Sequence, residues 1–154
     1  MPAPDLTTLL DFETQIETAI KTALGAASVT AYRQRDTDNK AAPVVTVQFT
    51  QGESLGNLFS HSGVWREDRF NGEVELRILT RRGASSDSHP SYRAKVRTLM
   101  SNWQGTINAA LTYLILLDCK TAGATPEIEA DEDHDYSTLR YSTPFAIRHN
   151  AWPV

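Results

Sequence analysis

The chain is poor in the residues that build cross-linked or reactive sites. Cys119 is the only cysteine among 154 residues, which excludes an intramolecular disulfide and makes a reducing compartment the expectation. The histidines, His61, His89, His134 and His149, hold no ligand spacing to one another or to Cys119, so no zinc site is expected. Neither G-x-x-x-x-G-K-[ST] nor G-x-G-x-x-G is present to cradle phosphates, and no cofactor is expected. The longest apolar run, Tyr113 to Leu117, is five residues, against roughly 20 for a membrane helix. MPAPDLTTLLDFETQ has neither a basic region nor a continuous apolar stretch, so no signal peptide is expected.

What is present suits a folded body. Apolar residues make up 40% and charged residues 22%, enough for one α+β domain over 1–154 with its own core. The clearest pattern is Phe70 to Thr80. Phe70, Gly72, Val74, Leu76, Ile78 and Thr80 fall on one face and Asn71, Glu73, Glu75 and Arg77 on the other, the period of a half-buried strand. Val45, Val47 and Phe49 predict a strand before it, joined through a protruding loop at about 51–64. Leu139, Tyr141, Phe145 and Ile147 predict a closing strand, at an edge or bulged where Pro144 interrupts it.

Helical spacing marks two further segments. Leu9, Ile16, Ile20 and Leu24 predict a helix over Asp5 to Leu24, with a Glu17 to Lys21 pair on its surface and Gly25 as its stop. Tyr92, Val96, Leu99, Met100 and Trp103 predict a second helix, opened by Pro90 with Asp87 or Ser88 near the cap and ended by Gly105. A short buried strand is expected in YLILLDC. Strands joined by loops with helices set apart imply a mainly antiparallel sheet with a long β-hairpin and helices packed on one face.

Two motifs invite chemistry and lack its context. Gly52-Glu53-Ser54-Leu55-Gly56 matches the nucleophile elbow, yet no helical pattern follows to present Ser54. Asp131, Asp133 and Asp135 open like a calcium loop, but Tyr136 stands where glycine is required and Ser142 where the closing acid belongs. Cys119 shares strand parity with Ile115 and Leu117, which predicts a buried, inert thiol. No catalytic or metal-binding residue is assigned.

Charge is unevenly placed. The net charge is -4, and Glu127, Glu129, Asp131, Glu132, Asp133 and Asp135 put six of 19 acids in an acidic loop at about 126–136. Eight of 15 bases lie between Arg66 and Arg97. Five acids interleave with them and no aromatic ladder accompanies them, so a nucleic-acid-binding module is the weaker alternative. The two patches suggest contact between subunits, with Arg81 and Arg82 of one facing Asp131, Glu132 and Asp133 of the next.

Taken in order, DLTTLLDFETQIETAIKTAL, APVVTVQFTQGES, WREDRFNGEVELRILTRR, SYRAKVRTLMSNW and STLRYSTPFAIRHNAWP resemble the tail-terminator (tail-completion) proteins of long-tailed bacteriophages. The likeness is one of element order and spacing from about Leu6 to Trp152. It implies a virion protein, assembled in the host cytoplasm, that forms a ring, commonly a hexamer, at the head-proximal end of the tail. Its implied partners are itself, the tail tube protein and a head-completion or neck protein, with DNA passing through the lumen and no membrane. Head-to-tail adaptor proteins of the same phages share much of this organisation. The family has no catalytic residues to transfer.

Overall fold

A computed structural model of the chain describes residues 11–33, 42–59, 65–83, 88–111, 114–123 and 128–150. The first described helix, α1, covers Phe12–Ala26. It buries Ile16, Ala19, Ile20 and Leu24, the three- and four-residue steps that put one stripe of a helix against a core. Asp11 takes the N-cap position without a side-chain hydrogen bond; the cap expected at Asp5 lies outside the described residues. Gly25 does not stop the helix, which runs on through Ala26.

Strand β1, Ala31–Arg33, pairs in parallel with β2, Val44–Phe59, at Val45 to Val47. β2 pairs antiparallel with β3, Trp65–Arg81. Helix α2, His89–Ser101, follows, with Pro90 in its first turn and Ser88 Oγ accepting weakly from the Ser91 N–H at 3.4 Å. A single turn, α3 (Trp103–Thr106), and a 3₁₀ turn at Asn108–Ala110 carry helical structure past Gly105. The rest is strand: β4 Leu114–Leu116, β5 Lys120–Thr121, β6 Glu129–Ala130, β7 His134–Ser142 and β8 Phe145–Asn150. The outcome is an α+β protein with an open, mostly antiparallel sheet of eight strands.

β3 is the spine of that sheet. β2 lies along one side, and β7 and β8 share the other, β7 pairing from Arg81↔His134 to Glu73↔Ser142 and β8 from Phe70↔Phe145 to Trp65↔Asn150. The register does not change across Thr143 and Pro144, and Thr143 N–H still donates to Gly72 O at 2.8 Å. The expected closing strand is therefore interrupted at Pro144, which has no N–H to offer, but it is not bulged there.

The bulges lie in β2. Between Gln51↔Gly72 and Gly56↔Arg69 the register slips twice, adding two residues to β2, and pairing then resumes to Phe59↔Arg66. This corrects the protruding loop expected at 51–64: Gln51 to Phe59 is strand, and 60–64 lies outside the described residues. Two slips scramble the alternation that would have marked it, while β3 holds the backbone in the ladder. The acidic loop expected at 126–136 is also corrected. Glu129–Ala130 and the start of β7 pair as a hairpin, Glu129↔Tyr136 and Ala130↔Asp135, while 126 and 127 lie outside the described residues.

Cross-strand neighbours sort the sheet into two faces. Val45/Ile78, Val47/Leu76, Phe49/Val74, Leu76/Leu139 and Val74/Tyr141 are paired and buried, as the parity of the Phe70–Thr80 segment predicts. They belong to one hydrophobic cluster with Ile16, Ile20 and Leu24 of α1 and Tyr92, Val96, Leu99 and Met100 of α2. Phe12, Phe49, Phe70 and Phe145 meet inside it, with ring centroids 5.2 to 6.4 Å apart. The opposite face is polar. There Arg140 lies 3.2 Å from Glu75 and 3.8 Å from Glu73, and Arg77 Nε donates to Glu75 Oε1 at 2.7 Å.

Candidate assembly surfaces

The residues expected to bridge subunits gather at one end of the sheet, where β3 leaves and β7 enters. Antiparallel pairing sets Arg81 opposite His134, so Arg82 and Asp131, 49 residues apart in sequence, become neighbours. Arg82 is tied into the acidic hairpin of its own chain. Its N–H donates to Asp133 O at 2.9 Å, its guanidinium donates to Asp131 O at 3.0 Å, and Nε lies 3.7 Å from Asp135 Oδ1.

Asp131 is likewise turned onto its own hairpin. Its Oδ1 accepts from the N–H of Asp133 at 2.9 Å and of His134 at 2.7 Å, a side-chain turn. Those two bonds, Asp133 first, hold its carboxyl below the ordinary carboxylate range although it stands at the surface. Asp133 contributes its backbone, and Arg81, Glu132 and Asp133 all stand exposed. Of the five residues, Arg82 and Asp131 thus serve the fold of one chain, and Arg81, Glu132 and the Asp133 carboxylate keep faces to solvent.

A second surface is the far part of β2. The apolar cluster ends on β2 at Phe49, and every residue from Thr50 to Leu58 is exposed, Leu55 by 51% and Leu58 by 46%. The elbow-like Gly52 to Gly56 sits within this strand at the double bulge, and Ser54 Oγ accepts from the Gly56 N–H at 3.3 Å. No helix follows to present Ser54, and no histidine or acid among the described contacts addresses it.

Three polar arrangements escape sequence inspection. Glu17, 4% exposed, takes Arg33 Nε at 2.8 Å on one oxygen and the Phe49 N–H at 3.1 Å on the other. Its partner is Arg33, not the expected Lys21, which lies instead 5.7 Å from the Tyr32 ring centre. β1 ends at Arg33↔Val47, so Phe49 is the first position beyond it whose edge N–H needs an acceptor. His89, 2% exposed, holds Thr80 Oγ1 at 2.9 Å on Nδ1 and Ser137 Oγ at 2.6 Å on Nε2. Burial lowers its pKa, Asp135 opposes that and Arg93 adds to it. Asn108 bridges to Leu116, donating to its carbonyl at 3.0 Å and accepting from its N–H at 2.8 Å.

Other groups are quiet. Burial, aided by Asp118, pushes the Cys119 thiol up to about 12, which leaves it inert; the parity expected to bury it is corrected, since β4 ends at Leu116, Ile115 faces solvent while Leu114 and Leu116 are buried, and Cys119 is half-buried beyond the strand. Burial alone would raise the pKa of Glu75, but hydrogen bonds from Arg77 and Arg140 hold it below the ordinary value. Among the described residues no group of acids, histidines and cysteine is placed to hold a metal ion, and no helix is long and apolar enough to cross a membrane. A groove of about 490 Å³ between α1 and α2 is lined by Ala23, Ala26, Ala27 and Ala94 with Lys95 at hand; it brings no reactive group.

The geometry offers surfaces and edges for association. Compared with known proteins, the chain matches no family model and no curated protein.

Proposed function

We propose that this chain is a structural subunit of a long-tailed phage virion, a tail terminator that forms a ring on the end of the tail tube. The ring offers the tube a matching surface and presents no further surface for another tube subunit. Its opposite side receives the head-completion proteins. In this reading β2 and β3 form one long hairpin whose far end is flanked by β8 on the β3 side and leaves the outer side of β2 to a neighbour, and α1 and α2 pack on the same face of the sheet. The work is done by shape and association, without bond chemistry.

The observation that carries the reading is the continuation of β2 beyond the apolar cluster as nine exposed residues, Thr50 to Leu58. A strand of that length adds little to the core of its own chain and much to a contact with another. The element order, helix, two long strands, helix and closing strands, fits the resemblance. A nucleic-acid-binding role is less well served. Arg69, Arg77 and Arg82 are each within ion-pair distance of an acid, Glu67, Glu75 and Asp135, and so are not free to neutralise phosphates.

In the ring, the acidic hairpin faces the lumen, where negative charge keeps passing DNA from adhering. Neutralising Glu132 and Asp133 should then slow DNA ejection, and unchanged ejection and infectivity would remove that assignment. The reading as a whole is tested by adding purified protein to growing tail tubes. Elongation should halt with a ring seated at the tube end; tubes that grow unchanged would overturn it.

A further inference from the structure

The apolar groove and the exposed part of β2 lie at opposite ends of the molecule. α1 starts beside Phe49, whose ring lies 6.4 Å from that of Phe12. It ends near Val45, whose N–H donates at 2.9 Å to Thr30 O just past the helix. β2 runs the other way, from Val45 past Phe49 to Leu55 and Leu58. Ala23, Ala26 and Ala27, which wall the groove on its α1 side, are about 16–22 Å along the helix from Phe12, while Leu55 continues beyond Phe49 in the opposite direction. A chain therefore does not bring its own Leu55 to its own groove.

The two surfaces are complementary. Alanines from both helices and Thr98 leave about 490 Å³ unfilled between α1 and α2, room for aliphatic side chains from outside. The one charged residue lining it is Lys95, whose Nζ lies 5.8 Å from the Tyr92 ring centre and has no acid beside it among the described residues. The distal part of β2 brings two aliphatic side chains, Leu55 and Leu58, 51% and 46% exposed. Its one charge between Thr50 and Leu58 is Glu53, with no base beside it among the described residues. Lengths agree as well: the α2 wall from Ser91 to Asn102 runs about 16 Å, and Glu53 to Leu58 spans about 17 Å as strand.

We infer that the Glu53 to Leu58 stretch of one copy seats in the groove between α1 and α2 of a second copy, with Leu55 against the alanine wall and Glu53 paired with Lys95. Apolar surface leaves water on both sides of the contact, and the one acid meets the one base. The small side chains of the groove let the strand come close to both helices. Because the contact joins two unlike surfaces, each bound copy still presents one of each, and the repeat closes into a ring when the rotation between neighbours permits. This inference rests on the ring reading above and names the surfaces that build the ring.

Disulfide trapping tests the contact, because it records a neighbour however briefly that neighbour stays. In a chain carrying Cys119→Ala, Leu55→Cys and Ala94→Cys together, oxidation should give a ladder of covalent oligomers, since the two new thiols of one chain are out of reach of each other. Pairing Leu55→Cys with Thr121→Cys instead, at an exposed position away from the groove, should give a much weaker ladder. Charge exchange is the second readout. Glu53→Lys and Lys95→Glu should each lower the ring fraction seen by light scattering, or tube capping if the chain assembles only on tubes, and the two together should restore it. Rings or caps that form without a ladder above the control, or that ignore both charge changes, overturn the groove contact and leave the ring reading standing. A ladder from protein that fails to cap tubes keeps the contact and removes the terminator reading. Monomers with neither ladder nor capping overturn both. Far-UV circular dichroism checks folding, and Cys119→Ser replaces Cys119→Ala if alanine disturbs it.

Discussion

Phe49 lies across Gly72: a Cβ on Gly72 would come 2.7 Å from Phe49 Cε2 and 2.7 Å from the Thr143 carbonyl oxygen. One atom is a ring packed against Phe145 and the other is backbone, so neither can yield cheaply. Gly72 is needed for close approach, and it lets β3 carry an aromatic cluster directly above its backbone. Replacing it with alanine should destabilise the fold by about 1–3 kcal/mol, the range for overpacking a dense core. Urea unfolding checks this, and a midpoint equal to wild type would mean that Phe49 has room to move.

The Glu17 bridge should rank its variants. Alanine leaves the largely buried Arg33 guanidinium and the Phe49 N–H without their acceptor, an expected loss of about 3–5 kcal/mol. Glutamine keeps an acceptor for Phe49 and loses only the charge, so Glu17→Gln should fall between alanine and wild type. Equal losses for both, measured by chemical denaturation, would show that charge alone matters.

His89 makes stability depend on pH in a defined sense. Its folded-state pKa is below the ordinary 6.5, chiefly through burial, so the folded chain takes up this proton less readily than the unfolded chain. The contribution is complete above about 6.5 and is lost as pH falls through the folded value. His89→Gln can donate and accept toward Thr80 and Ser137 without titrating. Its unfolding midpoint should fall less steeply than wild type from pH 7 down to 5, and identical slopes would remove His89 from the acid response.

Arg81 and Arg82 should part company under charge reversal. Arg82→Glu places an acid among Asp131, Asp133 and Asp135 of its own chain, so the monomer should lose thermal stability. Arg81→Glu, at an exposed position, should leave the melting temperature within about 0.5 kcal/mol of wild type in equivalent stability. Arg81→Glu then reports on subunit contact alone. Loss of assembly that Glu132→Lys partly restores would support a charge contact there, and an intact oligomer would exclude Arg81 from it.

How much of this could be read from the chain differs by element. The parity of Phe70 to Thr80 is plain because β3 is regular and half-buried throughout, and the α2 stripe is plain for the same reason. The strand at Gln51 to Phe59 is not, because two bulges shift its phase and Gly52 and Gly56 read as breakers. β5 and β6 are two residues each and exist only through β7, which no local window reports. Glu17 looks like half of a surface pair because its partners sit 16 and 32 residues away. The basic and acidic segments were legible as patches, but only the pairing of β3 with β7 shows that they already meet within one chain. His89 could have been noticed as a histidine beside a helix-opening proline, though nothing local points to Thr80 or Ser137.

The unbroken register along the β7 and β8 flank of β3 has a mechanical side. On that flank β7 and β8 stay in step across Pro144, so their hydrogen bonds to β3 stand side by side against any load directed along the strand. Such a load must shear them together, whereas a peel from one end would part them in turn. The sheet is therefore stiffest along its strands and weakest across them, and a body built this way is suited to bear tension along its strands.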